Sequence, residues 1–274
     1  MAFNINEFVI DKPIEGMMFN AAGDILWSVR DFKDPKLSVS TETEDAVDAL
    51  GTPIMQFDRS KKAEFSATKA GLSLDLIAAR GGVDKITASG SATVYVPVWM
   101  ETTVANATTT VTLAHTPYAA VGSSAIPYIW AIDPATKAKI TRYVLSDTAA
   151  SATEFKLSTT TLTLPTTRTG DVTFLIPYTY ASTGTAGAGA NEVKFAADQF
   201  PSVGKFVMKV LGYSKCDAQT RYYAWVTFPN AKLSCDVDVT LNPGTTDDFK
   251  LTALPAYCAK TKTCFSIIVP EDDD

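Results

Sequence analysis

Nearly every stretch of the chain outside one short segment reads as β-strand, and in several stretches apolar and polar residues alternate at every second position, which points to a mainly β fold. Lys232–Asn242 (KLSCDVDVTLN) carries the cleanest pattern. Leu233, Cys235, Val237, Val239 and Leu241 fall on one side, and Lys232, Ser234, Asp236, Asp238, Thr240 and Asn242 on the other. A slip by one residue would bury two aspartates, so the register is strongly set. Lys36–Glu44 (KLSVSTETE) alternates in the same way, with Leu37, Val39 and Thr41 set against Lys36, Ser38, Ser40 and Glu42. One stretch breaks the period. In GLSLDLIAARGG, Leu72, Leu76 and Ala79 recur at i, i+4 and i+7 with Ile77 beside them, while Ser73 and Arg80 fall elsewhere. This predicts a short amphipathic helix over Leu72–Arg80, stopped by Gly81-Gly82.

Composition divides the chain into three segments. Residues 1–101 mix strands with the helix. Strands are expected at Ile25–Phe32, Lys36–Glu44, Ile54–Asp58, Ala63–Thr68 and Ile86 to about Met100, with an acidic turn before Pro53. Residues 102–190 are rich in Thr, Ala and Ser and poor in charge. Short strands at Val111–Ala114, Tyr128–Ile132, Arg142–Leu145, Phe155–Leu164 and Val172–Tyr180 predict an inserted small β-sandwich, ending in the flexible STGTAGAGAN run. Residues 191–274 return to strands, at Arg221–Phe228, Lys232–Asn242, Phe249–Leu254 and Phe265–Val269.

With 274 residues, 46% of them hydrophobic, the chain can bury a large core. A net charge of -6 argues against a nucleic-acid-binding protein, because holding phosphates requires clustered Lys and Arg. The start, MAFNINEFVI, lacks the basic-then-apolar pattern of a signal peptide, and no run has the length of a membrane span, so synthesis and residence in a cytoplasm are expected.

Chemistry-bearing motifs are few. The single histidine, His115, has no G-x-S-x-G companion and reads as structural. Cys216, Cys235, Cys258 and Cys264 form no C-x-x-C pair, so no zinc site is expected. Cys235 reads as a small apolar strand residue, and a Cys258–Cys264 pairing stays open in an oxidising setting. GTAGAGAN lacks the Gly-Lys-Ser/Thr ending of a phosphate loop. The acidic cluster Glu42, Glu44, Asp45 and Asp48 and the terminal EDDD do not match an EF-hand loop and read as solvated charge. With no catalytic, cofactor or metal signature, the chain is expected to bind or to build and not to act as an enzyme.

The order strand, polar turn, strand, short helix, long strand in DALGTPIMQFDRSKKAEFSATKAGLSLDLIAARGG (Asp48–Gly82) resembles bacteriophage tail tube (major tail) proteins. YYAWVTFPNAKLSCDVDVTLNP (Tyr222–Pro243) and FKLTALPAYCAKTKTCFSIIVP (Phe249–Pro270) resemble the closing strands of the same subunits. The likeness covers roughly the first hundred and the last eighty residues. It implies a two-sheet β-sandwich or barrel with one helix packed on its outer side, and makes the middle segment an insertion. It also implies a virion structural protein of the viral tail that self-assembles into stacked, typically hexameric rings around a DNA channel. The partners would be further copies, other tail proteins and passing DNA, with no membrane.

On this resemblance, Asp236, Asp238, Ser38, Ser40 and Glu42 are candidates to line the channel, where negative charge would repel phosphate. Phe3, Ile5 and Phe8 in the Ala2–Asp11 segment, and Glu44, Asp45 and Asp48 in the acidic loop Glu42–Leu50, are candidates for contacts between subunits. Two other classes compete. One is a head decoration or head–tail joining protein, which binds a preformed lattice. The other is a carbohydrate-binding or carbohydrate-cleaving β protein that uses Trp99, Trp130, Trp225 or neighbouring tyrosines as sugar platforms.

Overall fold

The computed structural model describes residues 7–30, 32–184, 189–215, 217–255 and 262–270. The chain forms two compact units, one from 1–85 and 193–274, the other from 86–192.

The first unit opens with β1 (Phe8–Phe19), β2 (Ile25–Val29), β3 (Phe32–Val47), β4 (Pro53–Ala70) and the helix α1 (Leu74–Gly81). The second holds β5 (Ile86–Thr87), β6 (Val94–Val104), β7 (Thr110–Thr112), β8 (Tyr128–Ile132), β9 (Lys139–Leu145), β10 (Glu154–Ser158), β11 (Thr161–Thr163), β12 (Val172–Ser182) and β13 (Asn191–Glu192). The first unit then resumes with β14 (Val203–Ser214), β15 (Asp217–Leu233), β16 (Asp238–Val239), β17 (Thr246–Ala253) and β18 (Ser266–Ile268). The mainly β class expected from the alternation is what the chain adopts.

In the first unit the strand order is β2-β1-β14-β15-β17-β4-β3, with β16 on β17 and β18 on β15. The two ends of this order meet. Phe32, at the start of β3, lies so close over Gly16 of β1 that a Cβ there would sit 2.8 Å from its ring. The sheet therefore curls nearly into a barrel. Aromatic rings from opposite sides share its interior: Trp27–Phe206 at 5.6 Å, Phe65–Phe206 at 5.5 Å and Trp27–Phe249 at 5.5 Å between centroids. Each fully buried ring contributes about 1.5–3 kcal/mol through burial alone.

The helix belongs to this barrel. The Ser73 side chain accepts from the Leu76 N–H at its start, and Gly82 ends it with φ +64°. Leu76 is fully buried in the barrel core and Ala79 packs against it. Leu72, expected on the apolar stripe, lies before the first turn and is exposed. Gly82 is doubly constrained, because a Cβ there would stand 2.2 Å from the Phe200 carbonyl oxygen. Gly82→Ala should therefore lower stability by roughly 2–4 kcal/mol, the sum of a left-handed backbone penalty and an overpacking penalty. Urea unfolding is the measurement. Gly90→Ala, whose Cβ would meet nothing, is the control expected to leave the midpoint unmoved.

The second unit is a seven-stranded sheet, β6-β12-β8-β9-β10-β11-β7, whose ends share one core. Phe155, Leu162, Phe174, Ile176 and Ile129 are fully buried within it. Val94–Val104, read above as the end of the first segment, pairs along its whole length with β12 inside this unit.

Several strand expectations change, and Ile25–Phe32, for one, is divided between β2 and β3. Ile86–Met100 is not continuous: Ser89 and Ala92 exchange backbone hydrogen bonds in a turn between β5 and β6. Phe155–Leu164 is a hairpin of two strands, with Thr159 at φ 53° in its turn. Lys232–Asn242 breaks after Leu233. There the Ser234 hydroxyl donates to the Asp236 carboxylate at 2.6 Å and folds the chain off the sheet. Cys235 is consequently exposed, not on an apolar face, and Leu241 is 88% exposed. Cys264 is a free thiol packed on the core, whereas Cys258 and the terminal EDDD lie outside the described residues.

Candidate functional site

β3 and β4 run as one antiparallel ribbon, and only its base belongs to the barrel. Leu37 and Phe65 pair at the core end. Beyond them every residue from Val39 to Lys62 is exposed except the half-buried Ala46 and Ala63 lies outside that span. At about 3.3 Å per residue the projecting part reaches about 25 Å. The two expected strands Ile54–Asp58 and Ala63–Thr68 are thus a single strand, held extended by continuous pairing with β3.

The tip is built locally. The Asp48 carboxylate accepts the backbone N–H groups of Leu50 and Thr52, each at 2.8 Å, and these bonds hold its carboxyl below the ordinary range. Asp48 is therefore a turn former. Below the tip, Arg59 reaches the Glu44 carboxylate at 2.6 Å and lies 5.4 Å over the Phe57 ring. A register shift between Glu42 and Thr43 leaves Arg59 unpaired and resets the alternation of β4. Phe57 and Met55 consequently pair with Glu44 and Ala46, in phase with Ser38, Ser40 and Glu42. Leu50 is 91% exposed, and Ile54, Met55, Phe57 and Val47 are exposed with it. An isolated two-stranded ribbon is marginal in water, and apolar side chains on both of its faces find no cover within the described chain.

The barrel's outer face continues from this ribbon. Ser38 pairs with Glu64 and Glu64 with Thr252; Asp238 pairs with Asp248 and Asp248 with Thr68. Directly paired residues share a face, so Asp238, Ser38, Ser40 and Glu42 lie on one side of the sheet. That face is of mixed sign. Lys62 and Lys250 both grip Glu64, at 2.7 and 2.8 Å, and hold its carboxyl below the ordinary range. Asp236 sits apart, in the turn after β15, where its carbonyl accepts from Arg80.

Arg80 is the functional-looking residue that sequence periodicity misplaced. It lies four residues after Leu76 and points inward, with its side chain 2% exposed, against Asp247, which is 0% exposed. Asp247 stands in line with the buried Phe249, Leu251 and Ala253 on β17. Burial pushes its carboxyl up, and the Arg80 guanidinium draws it back part of the way. Arg80 also lines an open recess of about 330 Å³, together with Asp34, Asp236, Asp238 and Asp248. Among the described residues no group of His, Cys, Asp and Glu is arranged to hold a metal ion.

The remaining candidates are dispersed. Phe8 is not an exposed arm residue: it is half-buried in β1 and packs on the core, its ring against Gly212. Phe3 and Ile5 lie outside the described residues. Asp45 pairs with Gln56 on the ribbon. His115 stacks on Tyr180 at 3.9 Å, a packing role. No protein-family model matches the chain, and no curated protein matches it. No helix in the described residues is long and apolar enough to cross a membrane.

Proposed function

We propose that this chain is a structural subunit that self-assembles, and that the assembly is a phage tail tube of stacked rings. The observation that carries the proposal is the β3–β4 ribbon. It spends a long, well-paired hairpin on a surface with no core beneath it and sets Leu50, Ile54, Met55 and Phe57 in solvent. Such a segment is stabilised when another copy covers it.

A curled β barrel with one short helix packed on its core agrees with the tail tube form of this reading, whereas the inserted second unit departs from the minimal pattern of that family. The outer face adds an argument about DNA. Its lysines alternate with acids, and two of them are engaged by Glu64, so it offers no cationic stripe on which a duplex would stall. DNA could then slide past without being held, and the subunit would reside in the virion tail.

Negative-stain electron microscopy of the concentrated full chain tests the proposal. Hollow rings or tubes with a lumen wide enough for a duplex are the expected result. Compact monomers at every concentration reached would overturn it, and the mass-action character of assembly makes the concentration series essential.

A further inference from the structure

On the second unit, β6 turns Tyr95, Pro97 and Trp99 outward. Trp99 is 82% exposed, an unusual position for the largest apolar side chain. The other tryptophans are occupied. Trp27 is buried in the barrel core, Trp130 carries the Lys139 ammonium at 4.7 Å, and Trp225 carries that of Lys209 at 5.3 Å. Trp99 stands at one side of an open cleft of about 500 Å³. Tyr95 and Tyr118 also line it, their rings 4.5 Å apart. Tyr128 lines it as well, 4.9 Å from Trp130. Ser123, Ser124 and Thr179 supply further hydroxyls.

The chemistry of this lining selects an occupant. No Asp, Glu, Lys, Arg or His is among the residues that form the cleft. The nearest charges are not among the lining residues and are already engaged: Lys137 meets Glu101, and Arg142 lies 5.9 Å over the Tyr128 ring. An ionic ligand would lose hydration there without gaining a partner. An added peptide strand fares little better, because Pro97 interrupts the donor row of β6, the edge strand on this side of the sheet. A pyranose matches what remains. Its axial C–H groups form an apolar face that lies flat on an indole ring, and its hydroxyls both donate to and accept from Tyr, Ser and Thr hydroxyls. The volume lies within the range of small-ligand clefts.

We infer that the second unit binds a neutral saccharide in this cleft, with Trp99 as the stacking platform. The inference does not depend on the assembly reading.

The test uses the full chain against neutral oligosaccharides of two to four sugars: the gluco-, galacto- and manno-configured series and their N-acetylated forms. Binding is read by tryptophan fluorescence and by calorimetry. At least one series should bind, and Trp99→Ala should weaken it by about tenfold or more. Trp225→Phe should leave it unchanged, and Trp99→Phe should restore part of it. Because Trp99 is exposed, the Trp99→Ala protein should melt with the wild type, so a loss of binding would not reflect unfolding. Three results would each overturn the inference: no neutral oligosaccharide binds, binding is indifferent to Trp99→Ala, or Trp99 instead mediates capture of a proline-rich peptide or of a second copy.

Discussion

Replacing Arg80 by alanine should cost about 3–5 kcal/mol, because it strands the Asp247 carboxylate in the core without a partner. The loss should depend on pH in a defined direction. Burial already raises the Asp247 carboxyl above its reference value of 3.8, and Arg80 is the chief group opposing that rise. Without Arg80 the folded-state value climbs further above the unfolded one. A group raised in this way favours folding when protonated, so its penalty is absent below the unfolded value. The penalty grows as pH increases from there through the folded value. Arg80→Ala should therefore unfold much more easily than wild type at pH 7 and come closest to it near pH 4. The double variant Arg80→Met with Asp247→Leu removes both charges and should recover most of the stability at pH 7. Chemical denaturation at the two pH values checks both statements. A single variant as stable as wild type at pH 7, or a double variant as unstable as the single, would show that the pair does not hold the helix on the barrel.

Arg80 also shows where a sequence stops being readable. The helix itself is legible, because Leu76, the capping Ser73 and the Gly81-Gly82 stop are local signals. Position i+4 from Leu76 is legible too, but a charged residue there is sorted to solvent unless its partner is known. That partner is Asp247, distant in sequence and itself in an apolar alternation with Phe249 and Leu251. Tyr128–Ile132 matches its expected bounds because its alternation coincides with its pairing to β9 and β12. Lys232–Asn242 misleads because alternation reports what a strand would bury, not where its neighbours end. β17 pairs with β15 only through Leu233, and the chain then turns on Ser234. The ribbon tip misleads for a related reason. One extra residue, Arg59, shifts Phe57 out of phase with Phe65, and no local pattern announces a bulge. The sequence names Trp99 as a candidate sugar platform alongside Trp130 and Trp225 but cannot choose among the three, since exposure is decided by which face the rest of the unit covers.

The ribbon separates assembly from folding more sharply than any other feature. Substituting Ile54, Met55 and Phe57 together by serine removes the exposed apolar side chains of β4 and leaves the Asp48 turn, the Arg59–Glu44 ion pair and every backbone pair in place. None of the three contributes to the barrel core, so thermal stability should change by no more than about 0.5 kcal/mol per site. Assembly should fall steeply, because central apolar contacts dominate the energy of an interface while the rim contributes little. Sedimentation velocity at rising concentration reads both species. Wild type should pass from monomer to large assemblies, and the triple variant should stay monomeric at concentrations at least tenfold higher. A surface charge change on the same ribbon, Lys61→Glu, should act more weakly, and its effect should fade as salt is raised. If the triple variant assembles as readily as wild type, the subunits join through the barrel or the second unit, and the ribbon has some other partner. If it unfolds, Phe57 and its neighbours support the monomer after all. The expected pattern, an intact fold with its self-association lost, is what a ribbon projecting from a barrel for the use of another subunit requires.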